Sequence, residues 1–230
     1  MADNAHLTID EVAEDGEPIA PKVNVHLFVN QCGVVVRDNI PITTREWNKP
    51  KVDGVSYVDQ RSKDLLWDTL LSHFNLPREC NRSKVKEWAL KKMATQFQTF
   101  KKRLYNDYIK KKRTPTFTGP LEKIKNHWDA FVEYKASSEA LQRSEKNKAN
   151  ATKKKYHHVL GTGGYKSAVP KWEQTEATLI AKGITPATAD WPDRSKQWFY
   201  GHGDHWTHKQ GSVLLERNKL KKPPKNLLKQ

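Results

Sequence analysis

The sequence predicts a mainly α-helical protein: a basic three-helix core containing one long helix, then a smaller Trp-rich helical module. Three observations carry this. Apolar residues recur at steps of three and four between residues 62 and 131, and Pro77, Pro115 and Gly119–Pro120 divide that pattern into three helices. No run reaches the roughly 18 apolar residues of a membrane span.

The elements follow in order. Residues 1–20 hold six acids (Asp3, Asp10, Glu11, Glu14, Asp15 and Glu17) and no Lys or Arg, so an acidic disordered tail is expected there. The stretch also lacks the apolar core of a secretory signal. Over 21–54, Val23, Val25, Leu27 and Val29 alternate in "VNVHLFVN", and "GVVVRD" follows after "QCG". Alternation of β-branched residues predicts a short β-hairpin or paired extended segments. A loop broken by Pro41, Pro50 and Gly54 comes next.

At Ser62 the period changes. Leu66, Trp67, Leu70, Leu71 and Phe74 line one helical face, with Ser62 as N-cap and Pro77 beyond the end. A longer helix starts near Ser83, where Val85, Ala89, Met93, Phe97, Phe100, Leu104 and Tyr108 form a continuous stripe that Thr114–Pro115 stops. A third opens at Gly119–Pro120 with Leu121, Ile124, Trp128, Phe131 and Lys135 on one side, and frays through the polar residues that follow. Residues 55–160 are therefore expected to form the basic helical domain. In 161–208, Gly161, Gly163 and Gly164 read as a hinge. A helix with Pro170 in its first turn and Gly183 at its C-cap follows, then a short helix in "WPDRSKQWFYGHG". A basic disordered tail is expected over 209–230.

Charge is the strongest bulk signal. The chain is +15 overall, so the residues after the acidic first twenty carry +21. Such an excess selects polyanionic partners, of which nucleic acid is the commonest in cells. Residues 82–113 alone contain twelve Lys and Arg against Glu87 and Asp107. With the apolar stripe buried, those charges project outwards and suit phosphate contacts. The expected DNA-binding residues are Lys91, Lys92, Lys101, Lys102, Arg103, Lys110, Lys111, Lys112 and Arg113, extended by Lys153, Lys154, Lys155 and Lys166. Double-stranded DNA is favoured over RNA, since no RNP-like or KH-like motif is present.

Other chemistry fits poorly. "GTGGYKS" (161–167) has Tyr165 where a phosphate loop needs glycine before the lysine, and Lys166 where a dinucleotide loop needs its third glycine. His202, His205 and His208 recur at steps of three, but Gly203 disfavours a helix there and no cysteine joins them, so a polar loop is expected rather than a metal site. Cys32 and Cys80 make neither a disulfide framework nor a zinc site. No paired acids suggest a metal-dependent nuclease. The expectation is a non-enzyme with no cofactor and no bound metal.

Two resemblances sharpen this. "HWDAFVEYK" (127–135), with Trp67 and Trp88 before it, resembles the last helix of Myb/SANT-like and trihelix domains, in which a tryptophan packs beneath a basic recognition surface. More extensively, "SEKNKANATKKKYHHVLGTGGYKSAVPKW", "GITPATADWPDRSKQWFYGHG", "IPITTREWNKP", "LLWDTLLSHFNLP" and "FKKRLYNDYIKKK" resemble plant transposon-encoded proteins of the En/Spm (CACTA) type, over roughly residues 40–203. That resemblance implies a nuclear, DNA-associated protein encoded by, or domesticated from, a mobile element. Without an acidic triad, the expected role is an accessory DNA-binding component. The alternatives are a module that recruits a separate transposase, or a Myb/trihelix-like transcriptional regulator.

Overall fold

A computed structural model of the chain describes residues 6–153, 160–161, 163–186, 188–202, 205–209 and 212–216, the last two stretches as backbone only. The described residues are mainly helical, as the periodicity predicts. They divide into two compact units, Met1–Ser144 and Glu145–Gln230. The first unit takes in the N-terminal segment together with the helical core.

The first unit begins with short strands β1 (Leu7–Thr8), β2 (Glu11–Val12) and β3 (Pro18–Ala20). β2 and β3 pair antiparallel, while β1 pairs in parallel with β4 (Phe74–Asn75). Ile9, between the strands, is fully buried. The expectation of a disordered tail over 1–20 therefore gives way for residues 6–20: one buried isoleucine and a tight turn anchor an otherwise acidic segment. That turn needs Gly16, whose φ is +88° and whose missing Cβ would overlap the Lys84 carbonyl.

The expected hairpin at 23–38 is a helix instead, α1 (Lys22–Asn39). Phe28, Cys32, Val35 and Val36 are buried, at steps of four, three and one, while Val23 and Leu27 of the alternating set are 69% and 43% exposed. Tertiary packing overrides the β-preference of the valines. Gly33 lets α1 approach its neighbour closely, since a Cβ there would collide with the Gln96 side chain. Gln96 Nε2 in turn donates to the Val29 carbonyl at 2.8 Å. Burial pushes the Cys32 thiol up to about 12, leaving it protonated and inert at neutral pH.

α2 (Gln60–Leu71) starts two residues before the expected cap. Asp59 is the N-cap, accepting from the Ser62 amide at 2.7 Å, and that bond holds its carboxyl below the usual range. α3 (Arg82–Leu104) is capped by Asn81 and buries Val85, Ala89, Met93, Phe97 and Leu104, the predicted stripe. Phe100 and Tyr108 pack only partly against the core. The last turn widens into a π-helix, Tyr105–Ile109.

The third predicted helix is two. A 3-10 helix spans Gly119–His127, and α4 (Trp128–Ala136) continues from it. Trp128 is 4% exposed and meets Tyr108, Phe117 and Phe131 at ring-centroid distances of 6.0–6.1 Å. Ser137 breaks the chain direction and accepts from the Ala140 amide, so α5 (Ser138–Thr152) starts afresh with no buried residue.

In the second unit, α6 (Gly164–Ala181) starts six residues before Pro170, so that proline lies within the helix rather than in its first turn. Gly163 is the N-cap and Gly164 the first helical residue, which places the glycine run at a helix start. Gly183 closes the other end, as expected. α7 (Asp193–Gly201) is the predicted short helix. β5 (His205–Lys209) and β6 (Ser212–Glu216) form an antiparallel pair, so the spacing of His205 and His208 falls on a strand, and the expected loop and the start of the tail are replaced there. Residues 217–230 lie outside the described residues.

Candidate nucleic-acid interface

α3 sorts its basic residues by helical phase. With one buried stripe fixed on the core, each lysine's angle decides whether it meets protein or solvent. At roughly 100° per residue, Lys84, Lys91 and Lys102 fall within about 20° of one another on the outward side, over a length of about 27 Å. All three are exposed, as are Arg103, Lys110, Lys111, Lys112 and Arg113. Lys84 joins this surface although the expected set omitted it.

Lys101 does not belong to the surface. It stands four residues after Phe97, in step with the buried stripe, and is only 6% exposed. Its ammonium donates to the Thr44 carbonyl at 2.8 Å and lies 4.5 Å from the Phe97 ring centroid. Burial, aided by repulsion from Lys135, lowers its pKa to about 8. The expected phosphate contact at this position is thus corrected: Lys101 ties α3 to the 40s loop. The signal was legible, because continuing the four-residue steps from Val85 lands on 101.

The remaining cations differ in what already holds them. Lys91 pairs with Glu87 at 2.7 Å and Lys111 with Asp107 at 4.0 Å, both on exposed i,i+4 positions that contribute little. Lys92 is half-buried with its ammonium 4.9 Å from the Trp88 ring centroid. Lys86 is spent on Asp64 of α2 at 2.7 Å. Among the described residues, Arg82, Lys84, Lys102, Arg103, Lys110, Lys112 and Arg113 are exposed and have no acidic partner. They are the charges left available to an external anion.

The end of this helix is unusual. Lys112 has φ +53°, the left-handed region normally given to glycine. Its amide donates to the Ile109 carbonyl at 3.0 Å, and the Arg113 amide to Tyr108 at 2.9 Å, a Schellman closure. Four consecutive cations thus ring the helix C-terminus, where the backbone dipole favours positive charge.

Cations near α5 are otherwise engaged. Arg143 pairs with Glu46 and Glu139 at 3.0 Å each, and Glu46 raises its pKa further. Arg45 pairs with Glu139 at 3.2 Å and stacks 4.3 Å over Tyr134. Of the expected extension, Lys153 is exposed at the end of α5, while Lys154 and Lys155 lie outside the described residues, as do His157 and His158. Lys166 is exposed in the first turn of α6, in the second unit. Lys153 and Lys166 thus belong to the second unit, and the α3 residues to the first.

The second unit holds a polar centre. Glu176 accepts hydrogen bonds from Thr188 and Tyr200 hydroxyls at 2.8 Å and an ion pair from Lys196 at 3.3 Å. Burial works to raise its pKa, but these three partners outweigh it and hold the carboxyl below the usual range. A small cavity of about 80 Å³ beside it is walled by Trp172, Asp193 and Gln197. Among the described residues no three His, Cys, Asp or Glu stand close enough to hold a metal, and no helix is long and apolar enough to cross a membrane.

The chain matches no protein-family profile, no curated protein and no solved structure.

Proposed function

We propose that this chain binds double-stranded DNA, without catalysis of its own, through the outward face of α3 and the basic turn that ends it. The observation that carries the reading is the sorting of charge along residues 82–113. The apolar stripe and Lys101 face the core, while cations with no acidic partner among the described residues are exposed on α3 and in the turn that follows it. A merely solvated helix mixes signs on its outer face; here the only acids in the segment are Glu87 and Asp107. A nuclear, mobile-element-derived accessory protein is the setting that the resemblance over residues 40–203 suggests, and that part of the proposal rests on those motifs alone.

The test is fluorescence anisotropy of the full chain on a random-sequence duplex between about 50 and 200 mM salt. If roughly six phosphates are neutralised, log K falls with a slope of about −5 against log salt. A slope near zero, or no binding at the low end, contradicts the proposal.

A second reading keeps the chain non-enzymatic but makes the second unit a protein-docking module that recruits a transposase. Its support is the Trp172–Tyr200 ring pair, with centroids 5.3 Å apart, lining the small cavity.

A further inference from the structure

We infer that the outward face of α3 from Thr95 onwards, with Asn106 in the π-helical turn that follows it, reads base edges in the major groove of duplex DNA, so that binding is sequence-specific. The inference rests on the proposed duplex binding and adds what phosphate contacts cannot supply, since those position a protein without selecting a sequence.

Phase is the first argument. Thr95, Gln98, Thr99 and Lys102 are exposed and lie on the side of α3 opposite Met93, Phe97 and Leu104, and Asn106 is exposed in the π-helical turn that follows. From Thr95 to Asn106 the helix advances about 16 Å, the length of about five base pairs. The B-form major groove, about 12 Å wide, admits a helix of this diameter. The major groove of A-form RNA is too narrow for it.

Chemistry is the second. Gln and Asn pair bidentately with adenine. Gln98 and Asn106 make no side-chain hydrogen bond or ion pair among the described residues. The contrast with Gln96 is direct: two residues away and turned inwards, it is committed to the Val29 carbonyl. Thr95 and Thr99 donate their hydroxyls to the Lys91 and Thr95 carbonyls, which leaves each methyl as the group offered outwards, suited to a thymine methyl.

Flanking charge is the third. No acid occurs between residues 92 and 106, so nothing on this face repels a groove lined by phosphates. Exposed cations stand at both ends, Lys84 and Lys91 before it and Lys110 to Arg113 after it. They are placed to grip the backbone on either side of the bases being read.

The experiment is selection of the full chain on randomised duplexes at fixed salt. Affinities of wild type, Gln98→Ala and Asn106→Ala are then measured on the selected duplex, a permuted duplex and the selected sequence as duplex RNA. A short enriched motif is expected, with each variant losing about 5- to 100-fold on the selected DNA. On permuted DNA each variant should stay within about twofold of wild type with an unchanged salt slope, as expected for side chains that touch no phosphate. Both substitutions are at exposed positions, and unchanged melting confirms intact folding. Three results overturn the inference while leaving duplex binding in place: no enriched motif although random duplexes bind, equal affinity for the RNA duplex, or equal weakening on selected and permuted DNA. Failure to bind any duplex overturns both readings together.

Discussion

In the unit that ends at Ser144, an apolar cluster runs unbroken from Ile9 through Phe28, Leu66, Met93 and Phe97 to Trp128 and Phe131. In the unit that follows, the buried aromatic residues described are Phe199 and Tyr200, and a carboxylate joins the helices. Glu176 on α6 receives Tyr200 and Lys196 of α7 and Thr188 between them, and the two hydroxyls also lie 2.6 Å apart. Both hydroxyls donate to the carboxylate and Lys196 pairs with it, so the centre depends on the carboxylate staying ionised. The difference teaches where each unit is vulnerable. The first fails when volume is lost, the second when charge is lost. α3, which carries most of the exposed cations, is held chiefly by hydrophobic burial.

The sharpest way to break the comparison is to remove volume from the first unit. Trp128→Ala should cost about 3–5 kcal/mol, because the ring is buried among three other aromatics. Followed by hydrogen exchange on the full chain, amides of α1 to α4 should speed up while those of α6 and α7 hold. Equal acceleration in both units would merge what the packing divides.

A smaller effect is expected from Glu176→Gln. The amide keeps the shape but loses the charge that Lys196, Thr188 and Tyr200 bond, at a cost of about 2 kcal/mol to the second unit. The sign with pH follows. Because the folded pKa is lowered, the carboxylate's contribution is fully present above the unfolded value near 4.3 and is lost as pH falls through the folded pKa. Acid should therefore open α6 and α7 before α1 to α4, and Glu176→Gln should remove most of that difference. Acid opening that begins in α3 would contradict it.

The smallest effect separates stability from charge within the first unit. Lys112→Gly relieves a left-handed lysine and should stabilise by about 1 kcal/mol in urea denaturation. The same change should make the salt slope of duplex binding shallower by about 0.9. A variant with neither effect would show that Lys112 is neither strained nor in contact with phosphate.

What the sequence made legible follows the strength of each periodic signal. The stripe from Val85 to Leu104 repeats often enough that no competing pattern fits, and it predicts the start of α3 closely, while the expected stop at Thr114–Pro115 lies beyond Leu104 and the π-helical turn. α1 was hidden because Val23, Val25, Leu27 and Val29 alternate, while the helical set Phe28, Cys32, Val35 and Val36 crosses a glycine that looks like a turn. Only the close contact with Gln96 explains Gly33, and a contact between residues 63 apart leaves no local trace. Ser62 looked like a cap because Asp59 Oδ1 accepts from its amide, so the motif was seen from its donor side. Composition located the basic surface but treated Lys101 and Lys102 alike. One residue of phase separates a core anchor from a surface charge, and counting charges does not see phase. The π-helical turn and the left-handed Lys112 had no signal, since both depend on how the chain leaves α3 towards Phe117 and Trp128.

The central claim is that the outward cations of α3 meet duplex phosphates, and it is tested most directly on the residues adjoining that anchor. Lys102→Ala and Arg103→Ala together, both exposed, should leave melting unchanged and weaken all duplexes alike. The slope of log K against log salt should become shallower by about 1.8, two contacts at about 0.9 each. A double variant with wild-type affinity and slope on every duplex would contradict the account, and the basic face of α3 would then be no more than a solvated surface.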